Sequence, residues 1–256
     1  MSIFSRSTFG VARALMAFLV FFCHVSETFN LLGFLFVGVF FFMSGYGMEK
    51  SSLRERALSR LPFYILVFFW FSVLYFFFFR VFPYPTSWFL VVYFLVMMLY
   101  RFFGKNIYLL LISFALLSYF FASLSFEFGW SASFGAFLFG VFFARNESRF
   151  VLANVICLVP CVFLFVLGCE AALWSLLPLF SYLVLKFSSL KILRPISFLG
   201  QYTLYFFCVH CLFLGLFGCT WTLGGSPDFI GVSLSFLLSC FAALLMNDYL
   251  FKYPRI

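Results

Sequence analysis

Predominantly apolar stretches, each close to the length that crosses a bilayer, follow one another along the chain at about 10–30, 31–48, 62–82, 87–103, 107–125, 128–144, 150–168, 171–187, 196–219 and 229–248. A helix needs roughly 20 apolar residues to span a hydrocarbon core of about 30 Å. These runs are too long for strands and lack the in–out alternation of an outer-membrane barrel. Phe82-Pro83-Tyr84-Pro85 and Gly224-Gly225-Ser226-Pro227 mark two of the turns between them. Run 128–144 is short and is interrupted by Gly129, Gly135 and Gly140. Of the 256 residues 66% are hydrophobic and 9% charged, against about half and a quarter in soluble domains. That excludes a water-soluble globule and a disordered chain. The expectation is an all-α, polytopic transmembrane bundle of about ten spans, one domain over 1–256.

Charge gives the orientation. With a cytoplasmic N-terminus and ten spans, the inner loops collect Arg6, Arg13, Lys50, Arg54, Arg56, Arg60, Arg101, Lys105, Arg145, Arg149, Lys186, Lys191, Arg194, Lys252 and Arg255. That is 15 of the 16 Lys and Arg residues, with Arg80 alone outside, as the positive-inside rule requires. Glu27, Glu127, Glu170 and Asp228 fall outside and the other four acids inside. An N-in, C-in, multi-pass protein follows, with lipid as its solvent, and a bacterial cytoplasmic membrane is the expected location. The net charge of +8 comes from small clusters between apolar runs, so it is a topology signal and no nucleic-acid partner is expected. All eight cysteines lie in or beside apolar runs, where cysteine acts as a small hydrophobe and implies no disulfide framework. The first run lacks a small-residue cleavage site and reads as a retained helix. The sequon Asn146-Glu147-Ser148 falls on the cytoplasmic side and should be unused.

Ionisable residues inside a bilayer are costly, and each is a candidate for function. Both histidines, His24 and His210, fall inside apolar runs. Arg13 precedes His24 by eleven residues, about three helical turns and roughly 16 Å of rise, so both project from one face. His210 lies 13 residues beyond Ser197 and His24 lies 14 beyond Gly10, which is about 20 Å along each helix. Two helices therefore carry a histidine at a similar depth. Interhelical hydrogen bonding is the plainer explanation of such residues. Glu27, at i+3 from His24, can orient or charge-pair with the imidazole, or simply sit at the outer interface. Cys208-Val209-His210-Cys211 has metal-binding residue types, but ligands on one helix fan around its axis. No second ligand cluster stands out, so no metal is expected. The second run ends Phe42-Met43-Ser44-Gly45-Tyr46-Gly47-Met48, small residues that allow close helix approach or leave backbone groups beside a cavity. The densest basic cluster, residues 50–60, follows it. It is either an ordinary positive-inside loop or a phosphate clamp at the inner mouth of a cavity.

Arg13 and His24, spaced Arg-X10-His in the first helix, resemble the signature of the acyltransferase 3 family of integral-membrane acyltransferases. Val37-Gly38-Val39-Phe40-Phe41-Phe42-Met43-Ser44-Gly45-Tyr46 resembles that family's second-helix motif. Arg54, Arg56 and Arg60-Leu61-Pro62 resemble its basic first cytoplasmic loop, and Ser87-Trp88-Phe89-Leu90 its W-F-L entry to a later helix. Ile196-Ser197-Phe198-Leu199-Gly200-Gln201-Tyr202-Thr203-Leu204-Tyr205, followed by His210, resembles its late S-x-x-G element. The pieces run in family order from Arg13 to about Pro254. The ending Phe251-Lys252-Tyr253-Pro254 departs from the pattern by lacking an acid before the proline.

The resemblance implies transfer of an acyl group, commonly acetyl, from cytoplasmic acyl-CoA to a sugar hydroxyl in a surface or exported glycan or its lipid-linked precursor. On this reading His24, Arg13 and Glu27 form the catalytic centre. His210, Ser44, Tyr46 and Trp88 face the carbohydrate acceptor, and Arg54, Arg56 and Arg60 hold the CoA phosphates. A neutral imidazole, with an unperturbed pKa of about 6.5, can take the hydroxyl proton or carry the acyl group. Association with further copies of the chain, a homo-oligomer, is compatible with this. Two other functions compete: a transporter or flippase for a sugar or lipid-linked glycan, to which prolines inside spans such as Pro160 and Pro178 are suited, and a structural assembly partner without chemistry.

Overall fold

The computed structural model describes residues 4–50, 65, 66, 69–80, 84–104, 106–123, 128–146 and 176–247, and among them every regular element is helical. The elements are α1 (Arg6–Val25), α2 (Asn30–Lys50), α3 (Phe69–Phe79), α4 (Tyr84–Phe103), α5 (Ile107–Ser123), α6 (Phe128–Arg145), α7 (Leu177–Ser188), α8 (Thr203–Leu216) and α9 (Phe229–Leu245). Short 3-10 turns, Glu27–Phe29 and Trp221–Leu223, follow α1 and α8, and a longer 3-10 segment, Lys191–Gln201, precedes α8. Among the described residues Arg6–Val25 and Leu32–Lys50 are each long and apolar enough to cross a membrane. The pair Lys191–Gln201 and Thr203–Leu216, bent by 71°, makes a third candidate if it is one span. Phe229 of α9 and Tyr119 of α5, exposed at 88% and 76%, belong to a large exposed apolar surface that extends to the shorter apolar helices. Runs 150–168 and the first part of 171–187 lie outside the described residues.

The chain divides into two compact units, with the boundary inside α2. One contains Ser5–Phe36, Phe63–Ser87 and Ser188–Ile256. Here α1 starts at Ser5, whose side chain accepts the Thr8 amide at 3.2 Å, an N-cap bond that satisfies one orphan donor. Val11, Ala12, Met16, Val20 and Cys23 make the buried stripe of α1, at the three- and four-residue spacing of one helix face. Near its start α1 meets the 3-10 segment backbone to backbone. A Cβ on Gly10 would overlap the Ser197 carbonyl oxygen, and one on Gly200 would overlap that of Gly10. Small residues permit this approach, as in membrane helix pairs generally. Gly231, Ser235, Ser239 and Ala243 form a buried small-residue stripe on α9. Ser235 donates to the Phe213 carbonyl of α8 at 3.2 Å.

The sequence reading of 196–219 as one straight span is corrected by the bend. Residues 196–201 belong to the 3-10 segment, and α8 starts only at Thr203. Pro195 lies inside that segment and has no amide to donate to a continuous α-helical ladder. The Thr203 hydroxyl donates to the Gly200 carbonyl at 3.1 Å across the break.

The other unit contains Met1–Phe4, Val37–Pro62 and Trp88–Phe187. Its centre is a reciprocal glycine crossing of α2 and α6. A Cβ on Gly45 would meet the Phe137 carbonyl, and one on Gly140 that of Phe42. At one end, Glu49 of α2 accepts from Tyr100 of α4, and from Arg145 of α6 at 3.0 Å. Arg145 also donates to the Gly104 carbonyl at 2.7 Å. The Glu49 hydrogen bond raises the Arg145 pKa above its ordinary value. The C-terminal ends of α2, α4 and α6 therefore meet.

Candidate functional site

His24 near the end of α1 and His210 in the middle of α8 come together, their ring centroids 5.1 Å apart. Both belong to the same compact unit. His210 is fully buried. Its Nδ1 lies 3.1 Å from the Phe206 carbonyl and 3.0 Å from that of Phe207. Carbonyls only accept, so Nδ1 carries the hydrogen and donates to them, and Nε2 of the neutral ring bears the lone pair. The Cys211 thiol donates to that nitrogen, Sγ to Nε2, at 3.4 Å. Phe206 stacks on the His210 ring at 5.5 Å, with Phe207 edge-on at 5.8 Å and Phe21 of α1 at 6.3 Å. His210 is thus fixed in tautomer and orientation.

His24 is the opposite case. It is partly buried, yet its Nδ1 is sealed from solvent without a hydrogen-bond partner. A buried polar atom left unpaired costs about 1–3 kcal/mol and calls for an explanation, such as a catalytic role or an ion. Trp221, which the sequence did not single out, ties the end of α1 by donating its Nε1 hydrogen to the Cys23 carbonyl at 3.0 Å. Its only signal was a tryptophan beside the Gly224-Gly225 turn.

The other predicted residues fare differently. Arg13 is exposed. Glu27 does not sit one turn above His24, because α1 ends at Val25 and Ser26 is extended, with φ −136° and ψ 128°. Glu27 instead opens a 3-10 turn, exposed to solvent, and makes no hydrogen bond or ion pair with His24. Ser44 returns its hydroxyl to the Phe40 carbonyl at 2.8 Å. Tyr46 is buried, its ring 5.6 Å from that of Phe143. Ser44 and Tyr46 belong to the other unit. Trp88 lies on α4, with its side chain outside what is described. Arg54, Arg56 and Arg60 lie outside the described residues.

The sequence argument against a metal assumed that all the ligands lie on α8. The fold changes that premise, because His24 of α1 joins His210 and Cys211 with their ligand atoms within 4.8 Å of one another. Compared with family models, curated proteins and solved structures, the chain matches none. Fold and site define a class: a protein helical throughout its described residues, with helices of membrane-crossing length and a buried imidazole–thiol centre.

Proposed function

We propose that this protein is a membrane-embedded acyltransferase of the acyltransferase 3 type, moving an acyl group, most simply acetyl, from cytoplasmic acyl-CoA to a sugar hydroxyl. The observation that carries the reading is the convergence of the chain's two histidines from separate helices, 5.1 Å apart. The motif resemblance rests on the same two residues.

The chemistry follows from the two environments. The acceptor oxygen attacks the thioester carbonyl carbon while the His24 imidazole takes the hydroxyl proton. The C–S bond breaks, and the leaving thiolate of CoA receives that proton from the imidazolium, so ester and free CoA thiol are the products. His210, held on two backbone carbonyls, is a fixed polar wall beside it. About ten spans in an N-in, C-in arrangement suit this reading. The meeting of the Lys50, Arg101 and Arg145 ends of α2, α4 and α6 accords with one basic, cytoplasmic side.

A second reading has one observation of its own. The 71° break before α8 is the kind of interrupted helix that transporters place at substrate sites. Purified protein reconstituted in sealed lipid vesicles, given radiolabelled acetyl-CoA and cell-envelope glycan, separates the two. Transfer of label to glycan, lost in His24→Ala, is expected. Glycan movement across vesicles without release of CoA thiol would replace the enzyme with a transporter.

A further inference from the structure

We propose that His24, His210 and Cys211 form a binding site for a soft closed-shell metal ion, zinc(II) or copper(I). The Nε2 of His210 and Sγ of Cys211 already lie 3.4 Å apart. Metal–nitrogen bonds of about 2.05 Å and metal–sulfur bonds of about 2.3 Å at a tetrahedral angle put such a pair roughly 3.6 Å apart. The nitrogen that faces the sulfur is the one bearing the lone pair, because Nδ1 is committed to the Phe206 and Phe207 carbonyls. A ligand histidine whose other nitrogen donates to a backbone carbonyl is the usual outer-shell arrangement of a metal site.

The third ligand is His24. The three ligand atoms lie within 4.8 Å of one another, so the widest gap must close by no more than about 1.5 Å to reach bonding geometry. His24 is the member able to move, since no hydrogen bond holds its buried Nδ1. Two imidazoles and a thiolate are ligands that soft d10 ions prefer, and they leave a fourth position open. Binding exchanges the Cys211 thiol proton for the ion: the S–H bond breaks, the S–metal bond forms, one proton leaves to solvent and nothing is oxidised. Copper(I) gives a neutral centre. Zinc(II) leaves one positive charge for a fourth, anionic ligand to balance.

The site stands apart from the acyl-transfer reading. An imidazole that holds an ion has no lone pair for a hydroxyl proton, so where His24 is also the base the ion inhibits transfer.

The test uses full-length, metal-stripped protein in nanodiscs with no acyl-CoA present. Cobalt(II) is titrated in place of zinc, and copper(I) is titrated against a colorimetric copper(I) chelator. One ion per chain is expected. The cobalt form should absorb in the near ultraviolet from the thiolate. Cys211→Ser should abolish that band, His24→Ala should weaken binding at least tenfold, and Cys208→Ser, on the same helix outside the cluster, should change neither. Uptake of copper alone keeps the site and fixes its charge. Uptake of neither ion, or equal binding by Cys211→Ser and Cys208→Ser, overturns it. If Cys211→Ser does not fold, X-ray absorption of the wild-type complex decides. One sulfur and two imidazole nitrogens support the site, and an all-oxygen shell ends it. Loss of the transferase reading leaves every one of these outcomes unchanged.

Discussion

His24 and His210 differ in a way that separates chemistry from support. His210 has its hydrogen on Nδ1, two carbonyl acceptors, a thiol donor and a stacked Phe206. Removing it empties a fully buried, well-packed place, for which truncation costs about 2–5 kcal/mol. The His24 Nδ1 has no partner to lose, and replacing an unsatisfied polar group by an apolar one of similar size is neutral or stabilising. His24→Leu should therefore leave the melting temperature unchanged or raised while acyl transfer falls to background. His210→Ala should melt several degrees lower and retain partial transfer. Thermal unfolding in detergent beside a labelled-acetyl assay reads both. A fall for His24→Leu as large as that for His210→Ala would make His24 a structural residue.

At the scale of the helices, glycines with different surroundings predict opposite signs. A Cβ at Gly45 or Gly140 runs into a carbonyl of the facing helix, whereas nothing lies within 4 Å of one at Gly47 or Gly135 on the same two helices. Gly45→Ala and Gly140→Ala should destabilise by about 1–3 kcal/mol, the range for overpacking against atoms that cannot yield. Gly47→Ala and Gly135→Ala should stabilise by up to about 1 kcal/mol through helix propensity alone. Unfolding in mixed micelles measures all four, and a common sign would remove the close crossing. The same contrast explains what could be read from the sequence. Apolar runs gave α1, α2, α4, α5 and α6 because hydropathy depends on composition. They missed the break at Gln201–Thr203, which depends on Gly10 and Gly200 touching across 190 residues of chain. They likewise placed Glu27 above His24, because nothing in the composition said that α1 stops at Val25. The pairing of His24 with His210 was legible only as equal depth. That Cys211 joins them was not, since it needs the rotation of α8 relative to α1.

For the molecule as a whole, the joined ends of α2, α4 and α6 fix which termini share a side. In a cysteine-free background, Lys50→Cys and Arg101→Cys should label with an impermeant thiol reagent only from the cytoplasmic face, and Arg80→Cys only from the opposite one. Labelling of Lys50→Cys from outside would invert the orientation. On the proposed function, that orientation sets a division of labour across the membrane. If donor CoA is taken from the basic side, as the proposed function has it, the arginines following α2 are the groups to hold its phosphates. Arg54→Ala, Arg56→Ala and Arg60→Ala should each raise the KM for acetyl-CoA roughly ten- to a hundredfold. Each removes a charged hydrogen bond worth about 1.5–3 kcal/mol. Arg13→Ala should be as severe or more so, because Arg13 lies about three turns before His24 on the same helix. Lys105→Ala and Lys191→Ala serve as controls, cytoplasmic by the same count but outside the motif. Alanine is the right probe, since glutamate would disturb the charge rule that sets the topology. Acetyl-CoA titration of purified variants, with binding measured separately, makes the comparison. Equal donor affinity for the four arginine variants and the two lysine variants would leave the basic loop with a topological role alone.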